Sequence, residues 1–198
     1  MLVAELVRRL LEPECEIVGV VADGRALVDA ALSLSPDIIV VDIGMPLLNG
    51  LDASVQVKKH LPLTKVMFLT MECHPEVAAE AFRHGASAFV LKNEAASSLV
   101  SAMRKVVRGE SYVSPTIAGA TLTLLTRRED LKESRLTARQ REILQLLAEG
   151  KSMREAATVL NVATRTVAFH KYRIMEALGL KKNEDLVQYA IRNHLVGA

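Results

Sequence analysis

Two hydrophobic periods divide this chain. Over its first two-thirds, short Val/Ile/Leu-rich runs without polar alternation are separated by segments whose apolar residues recur every three or four positions. The runs at 16–21 (EIVGVV), 37–41 (DIIVV), 65–70 (KVMFLT) and 86–92 (ASAFVLK) read as strands buried on both faces. The segments at 2–11, 24–35, 52–61, 75–85 and 95–109 read as amphipathic helices. Pro13 follows the first of them, and Gly85 and Gly109 stop the last two. Strands of this kind alternating with helices predict a doubly wound α/β domain on a parallel sheet.

The pattern changes after residue 112. Residues 113–134 combine a short helical stretch with a charged, Ser-containing one and read as a linker. Beyond it every segment is helical: 137–150, 152–161, 164–179 and 183–196, each punctuated by Gly, Asn or a polar cap. The expected organisation is therefore an α/β domain over 1–112, a linker over 113–134 and a second, all-α domain over 135–198.

Composition narrows the class. Half of the residues are hydrophobic, enough for packed cores. No apolar run approaches the roughly 20 residues that span a bilayer, and no signal-peptide pattern is found, so a cytoplasmic protein without membrane contact is expected. Cys15 and Cys73 form no metal or redox motif and read as reduced thiols. His60, His74, His84, His170 and His194 show no ligand spacing and read as structural or solvated. Charge is uneven: residues 1–120 carry three more acids than bases, residues 121–198 five more bases than acids. An acidic module followed by a basic one that can meet a polyanion fits that balance.

Candidate chemistry lies where strands end. Ligands of open α/β sheets bind outside the carboxyl ends of the strands, and Asp42, Thr70 and Lys92 each follow or close a hydrophobic run. An acid that accepts a phosphoryl group, with a hydroxyl and an ammonium to bind its oxygens, makes a phosphorylation site. Taken singly, Asp42 would be a turn cap and Lys92 a solvated side chain; three such residues at successive strand ends favour the site.

In the tail, two helices are joined by a short turn. Ala156, Ala157 and Leu160 on one, with Val167, Ile174 and Leu178 on the other, build an apolar seam, and Thr164 is placed as N-cap of the second. Its outward positions include Arg165, Ala168, Phe169, Lys171, Tyr172 and Arg173. A helix of this kind reads base edges from the major groove while flanking basic residues hold phosphates. The bland alternative is a helical bundle with a solvated basic face.

The stretches VVDIGMPLLNG, FLTM, GASAFVLK and LTARQREILQLLAEGKS, followed by VATRTVAFHKYRIMEALGL, together resemble a bacterial two-component response regulator of the NarL/FixJ type. That family joins a flavodoxin-like receiver domain to a LuxR-type helix-turn-helix. The resemblance implies that Asp42 is the phospho-acceptor, Thr70 the switch hydroxyl, Lys92 its ionic partner and Phe89 the aromatic that rotates with the switch. It also implies a backbone carbonyl of Gly44 offered to Mg²⁺ beside Asp42, and a turn after the acceptor strand formed around Pro46 and Gly50. Ala168, Phe169, Tyr172 and Arg165 fall at base-reading positions, and Lys151, Thr166, Lys171 and Arg173 at backbone-contacting ones. Double-stranded DNA, a sensor histidine kinase and a second copy of the chain are the implied partners, with pairing through residues 183–195. Two residues depart from the pattern: Ala168 stands where a basic residue is frequent, and Met153 where a polar one is.

Family receivers open with one more strand, ending in an adjacent acidic pair. Here Met1 stands directly before the first helix, so the receiver is expected to lack that strand, the start as given to differ from the native one, and Mg²⁺ binding to be weak or absent. The runs beginning at Ile17 and Ile38 would then close into a four-stranded sheet or accept a strand from another chain. The leading expectation is a transcription regulator switched by phosphorylation of Asp42. The second is a phosphorylation-independent DNA-binding regulator whose receiver serves for dimerisation or docking. A phosphatase of the haloacid-dehalogenase type is disfavoured, because Gly44 occupies the place of the second Asp its motif requires.

Overall fold

The computed structural model describes residues 2–126 and 136–196, so the part of the expected linker at 127–134 lies outside the described residues. The first module contains α1 (Leu2–Leu11), α2 (Gly24–Leu34), β1 (Ile38–Val41), α3 (Gly50–His60), β2 (Lys65–Thr70) and α4 (Pro75–Arg83). It continues through β3 (Ala88–Leu91), α5 (Ala95–Val107), β4 (Tyr112–Val113) and α6 (Pro115–Thr126). The four strands are parallel, in the order β1-β2-β3-β4. Covering on both faces explains the missing polar alternation. Ile39, Val41, Val66, Phe68, Phe89 and Leu91 pack with residues of α2, α3, α4 and α6. Met67, Leu69, Ala88 and Val90 pack with residues of α1 and α5. Asp23 and Asn49 start α2 and α3 by accepting backbone N–H groups of the first turn.

Two expectations about the first module need correction. Residues 16–21 form no strand: Ile17 and Val21 pack inward, while Val18 and Val20 are 50% and 61% exposed. A strand is made by its partner, and among the described residues β1 is paired on one side only, with β2. A groove of about 490 Å³ lies between this run and α1, lined by Arg8, Cys15, Ile17 and Gly19 among others. Among the described residues the sheet does have four strands, but its fourth is Tyr112–Val113, beside β3 at the far edge.

The second correction concerns the linker: its helical stretch forms as expected, but it packs on the first module instead of spacing the two. Val113 belongs to β4, and α6 packs against α4 with Ile117 and Thr121 buried. Ser114 fixes this junction: it is fully buried and its Oγ accepts the Leu91 N–H at 2.9 Å. Pro115 occupies the first helical position, where its missing N–H costs nothing.

The second module comprises α7 (Ala138–Ala148), α8 (Met153–Val159), α9 (Thr164–Leu178) and α10 (Asn183–Arg192). Reciprocal caps, Thr137 with Gln140 and Ser152 with Glu155, open α7 and α8. The core gathers Ile143, Leu144, Leu146, Ala156, Ala157, Leu160, Val167, Ile174, Leu186 and Ala190. Burial of side chains such as Val167 and Ile174 contributes about 1.5–3 kcal/mol each. The cap of α9 is shifted by one residue: Ala163 precedes the helix without a side-chain bond, and Thr164 is its first residue. No helix among the described residues is long and apolar enough to cross a membrane.

Candidate functional site

Parallel register aligns the three strand ends. Val41 lies opposite Phe68 and Thr70 opposite Leu91, which sets Asp42, Thr70 and Lys92 along one rim. Lys92 reaches over the end of β2, and its Nζ pairs with Oδ2 of Asp42. The other Asp42 oxygen accepts the Gly44 N–H at a long 3.4 Å. Asp42 remains accessible, its side chain 35% exposed against 20% for Lys92. Thr70 is buried, and its hydroxyl accepts the Glu72 N–H at 3.0 Å. Phe89 lies fully buried in the core below the rim, its ring 6.2 Å from that of Phe68.

The loop after Asp42 is tightly built. A Cβ on Gly50 would sit 2.1 Å from the Asp42 carbonyl oxygen, so only glycine lets α3 begin this close to the rim. Gly44 is exposed. The Asp42 carboxylate and the Gly44 carbonyl are oxygen donors of the kind Mg²⁺ takes, leaving the remaining positions to water. Glu72 stands two residues past Thr70, but its carboxylate is engaged by His74 and His194. Burial works against charge on Glu72, yet the hydrogen bond of His74 and the field of His194 hold its carboxyl below the usual range.

Helix α9 has one buried and one exposed face, and four of the six expected outward positions lie on the exposed one. Val167 and Ile174 are fully buried on one side of α9. Opposite them Arg165, Phe169, Tyr172 and Arg173 are exposed, Phe169 at 57% and Tyr172 at 67%. Ala168, Thr166 and Lys171 are half-buried flanks, as is Lys151 in the turn before α8. The Arg173 guanidinium stacks 5.7 Å from the Phe169 ring and pairs with Glu176 at 3.2 Å, which draws it along the helix. In α10, Leu186 and Ala190 are buried in the module's core, as is Leu195 beyond it, while Ile191 is 40% exposed.

A polar seam between the modules was not foreseen. Arg141 of α7 grips Asp52 of α3, with Nε 2.9 Å from Oδ1 and 3.1 Å from Oδ2. Glu142 accepts from Arg25 at 2.9 Å and from Gln56 at 3.0 Å. Gln145, fully buried, accepts the Asn49 N–H at 2.7 Å and donates to the Met45 carbonyl at 3.0 Å. Leu47 adopts a left-handed φ of 64°, donates its N–H to Glu149 at 3.0 Å and packs its side chain against the core of the second module. One face of α7 thus holds the loop that starts at Asp42. Glu142 and Gln145 carried no sequence signal beyond helical spacing, which cannot separate a polar face against water from one against another domain.

Two families match the chain: the response regulator receiver domain over residues 1–104, and the bacterial regulatory proteins of the luxR family over residues 134–190. The chain is 32% identical over 193 residues to the oxygen regulatory protein NreC of Staphylococcus carnosus, covering 93% of this chain and 89% of that protein. It is likewise 32% identical over 185 residues to the response regulator VraR of Staphylococcus aureus, covering 93% and 88%. Its fold resembles that of RcsB from Salmonella enterica serovar Typhimurium, solved bound to a promoter. The TM-score is 0.58 at 24% identity, with 98% of this chain and 92% of that one covered.

Proposed function

Since the chain belongs to the response regulators that join a receiver domain to a LuxR-family regulatory domain, we propose that it binds double-stranded DNA under control of Asp42 phosphorylation. The family is one of transcription regulators, not enzymes. A sensor histidine kinase supplies the phosphoryl group in the cytoplasm. An Asp42 oxygen attacks phosphorus and the P–N bond to the kinase histidine breaks; with a proton on its other ring nitrogen, the imidazole that takes the bonding pair leaves neutral. Lys92, already paired with Asp42, neutralises the added charge. The Thr70 hydroxyl, whose oxygen accepts the Glu72 N–H, turns its own O–H to donate to a phosphoryl oxygen, and the Phe89 ring follows. Asp42 and the Gly44 carbonyl would hold Mg²⁺ weakly, the ion supplying further neutralisation of phosphoryl charge.

The Asp42–Lys92 pair at the carboxyl end of a parallel sheet carries this reading. Because Gln145 and Glu149 hold the loop beginning at Asp42, a change at the acceptor acts on α7 and through it on the DNA-binding module. There Arg165, Ala168, Phe169 and Tyr172 read bases, while Lys151, Thr166, Lys171 and Arg173 hold phosphates. A homodimer would place two such helices on adjacent half-sites, with Ile191 and Val187 of α10 as the apolar contact.

The test is intact mass after incubation with acetyl phosphate and Mg²⁺. One added phosphate is expected on the unaltered chain and none on Asp42→Asn. A second reading, DNA binding without phosphorylation, draws on Asp42 being, among the described residues, the one carboxylate at the rim, where it meets Lys92 and the Gly44 N–H. An unaltered chain that gains no phosphate, and binds DNA as well as Asp42→Asn does, establishes that reading instead.

A further inference from the structure

Glu72, His74 and His194 meet outside the phosphorylation rim. Glu72 and His74 stand in the loop between β2 and α4, on the receiver. His194 follows α10, in the DNA-binding module. Glu72 Oε1 contacts Nδ1 of His74, and Oε2 lies 2.6 Å from Nδ1 of His194. The two imidazole rings are 5.0 Å apart, and one ligand atom from each of the three residues falls within 4.8 Å of the others. Glu72 is 19% exposed and His194 30%, a partly sheltered position open on the His74 side.

We propose that Glu72, His74 and His194 form a binding site for a divalent transition metal of the zinc class, bridging the receiver to the DNA-binding module. Two imidazoles and a carboxylate are the donor set that zinc accepts with three protein ligands, the fourth position being left to water. Mg²⁺ and Ca²⁺ demand more oxygens than the one carboxylate here offers. The backbone gives independent support. His194 takes a left-handed φ of 55° at the end of α10, where the Leu195 N–H returns to the Ala190 carbonyl. Gly or Asn ordinarily fills that position, and here a histidine fills it whose ring reaches Glu72 on the other module. Metal bound there favours the docked arrangement, since only that arrangement brings all three ligands together.

The full-length chain, stripped by chelation, is titrated with zinc by calorimetry, and with Co²⁺ by visible absorption to read the coordination geometry. One equivalent of zinc is expected, with affinity falling at least tenfold in His194→Ala and in His74→Ala, two variants on different modules. Cys73→Ser should bind as the unaltered chain does, because the exposed Cys73 thiol is not in the cluster. Zinc should also raise the thermal midpoint of the unaltered chain and leave that of His194→Ala unmoved. Equal zinc affinity in the unaltered chain and the His74→Ala/His194→Ala double variant overturns the site. So does loss of binding in Cys73→Ser as large as in His194→Ala.

Discussion

Replacing Arg141 by methionine removes the charge that ties α7 to α3 while keeping much of the apolar stem. Asp52 is 7% exposed and Arg141 is a quarter exposed at its side chain, so the pair is largely shielded from water. Burial opposes the Arg141 charge, but the hydrogen bond and field of Asp52 raise its pKa above the ordinary guanidinium value. Breaking a buried pair by removing one partner costs about 3–5 kcal/mol. Asp52 keeps one donor, the Asn49 side-chain amide at 2.9 Å, so the expected loss is lower, about 2–3 kcal/mol. Asp52→Asn alone leaves the arginine facing a neutral amide and should cost about 1–2 kcal/mol. The double variant separates the interaction from the side effects. Because its members share one contact, urea unfolding of all four proteins should give a coupling of about 2 kcal/mol. Additivity within about 0.5 kcal/mol would show that Arg141 and Asp52 do not meet in solution, and the docked arrangement with its route from Asp42 to α7 would fall with it.

Three further outcomes are open to measurement. Gly50→Ala, whose Cβ would meet the Asp42 carbonyl at 2.1 Å, should lose about 1–3 kcal/mol and slow phosphate uptake from acetyl phosphate, whereas unchanged stability and uptake would show that α3 can withdraw freely. Arg165→Ala should relax sequence preference, while Lys171→Ala should weaken all DNA alike and reduce the salt slope by about 1; equal losses from both on random DNA would reject these roles. Glu14, whose pKa is lowered by its hydrogen bond from Arg104, ties the end of α1 to α5. A depressed carboxylate stabilises above its unfolded value and loses that contribution as pH falls through the folded one, so acid should loosen α1 in the range below about 4.3, and Arg104→Gln should return the Glu14 titration followed by NMR to its ordinary position.

How far the chain could be read depended on whether a feature is local. Ile38–Val41, Lys65–Thr70 and Ala88–Leu91 announce themselves because a strand covered on both faces carries consecutive apolar residues instead of alternating ones. The same composition at 16–21 misleads, since pairing belongs to two strands and no single run records whether its neighbour is present. Tyr112–Val113 is too short for any period to reveal it. At the rim, Asp42 and Lys92 were legible because parallel register fixes where strand ends lie. The seam around Gln145 and the meeting of His74 with His194 were not, because both depend on how two modules dock, and helical spacing is silent about that.

Leu47 limits how freely this regulator's parts can be exchanged. Its side chain leaves the receiver and is housed by the other module, and its left-handed backbone commits the loop to that posture. A graft of a foreign effector onto this receiver would have to supply both a matching socket and an acid in the place of Glu149. Chimeras cut in the linker should therefore inherit the switch only when the helix that follows the cut comes from the same parent as the acceptor loop.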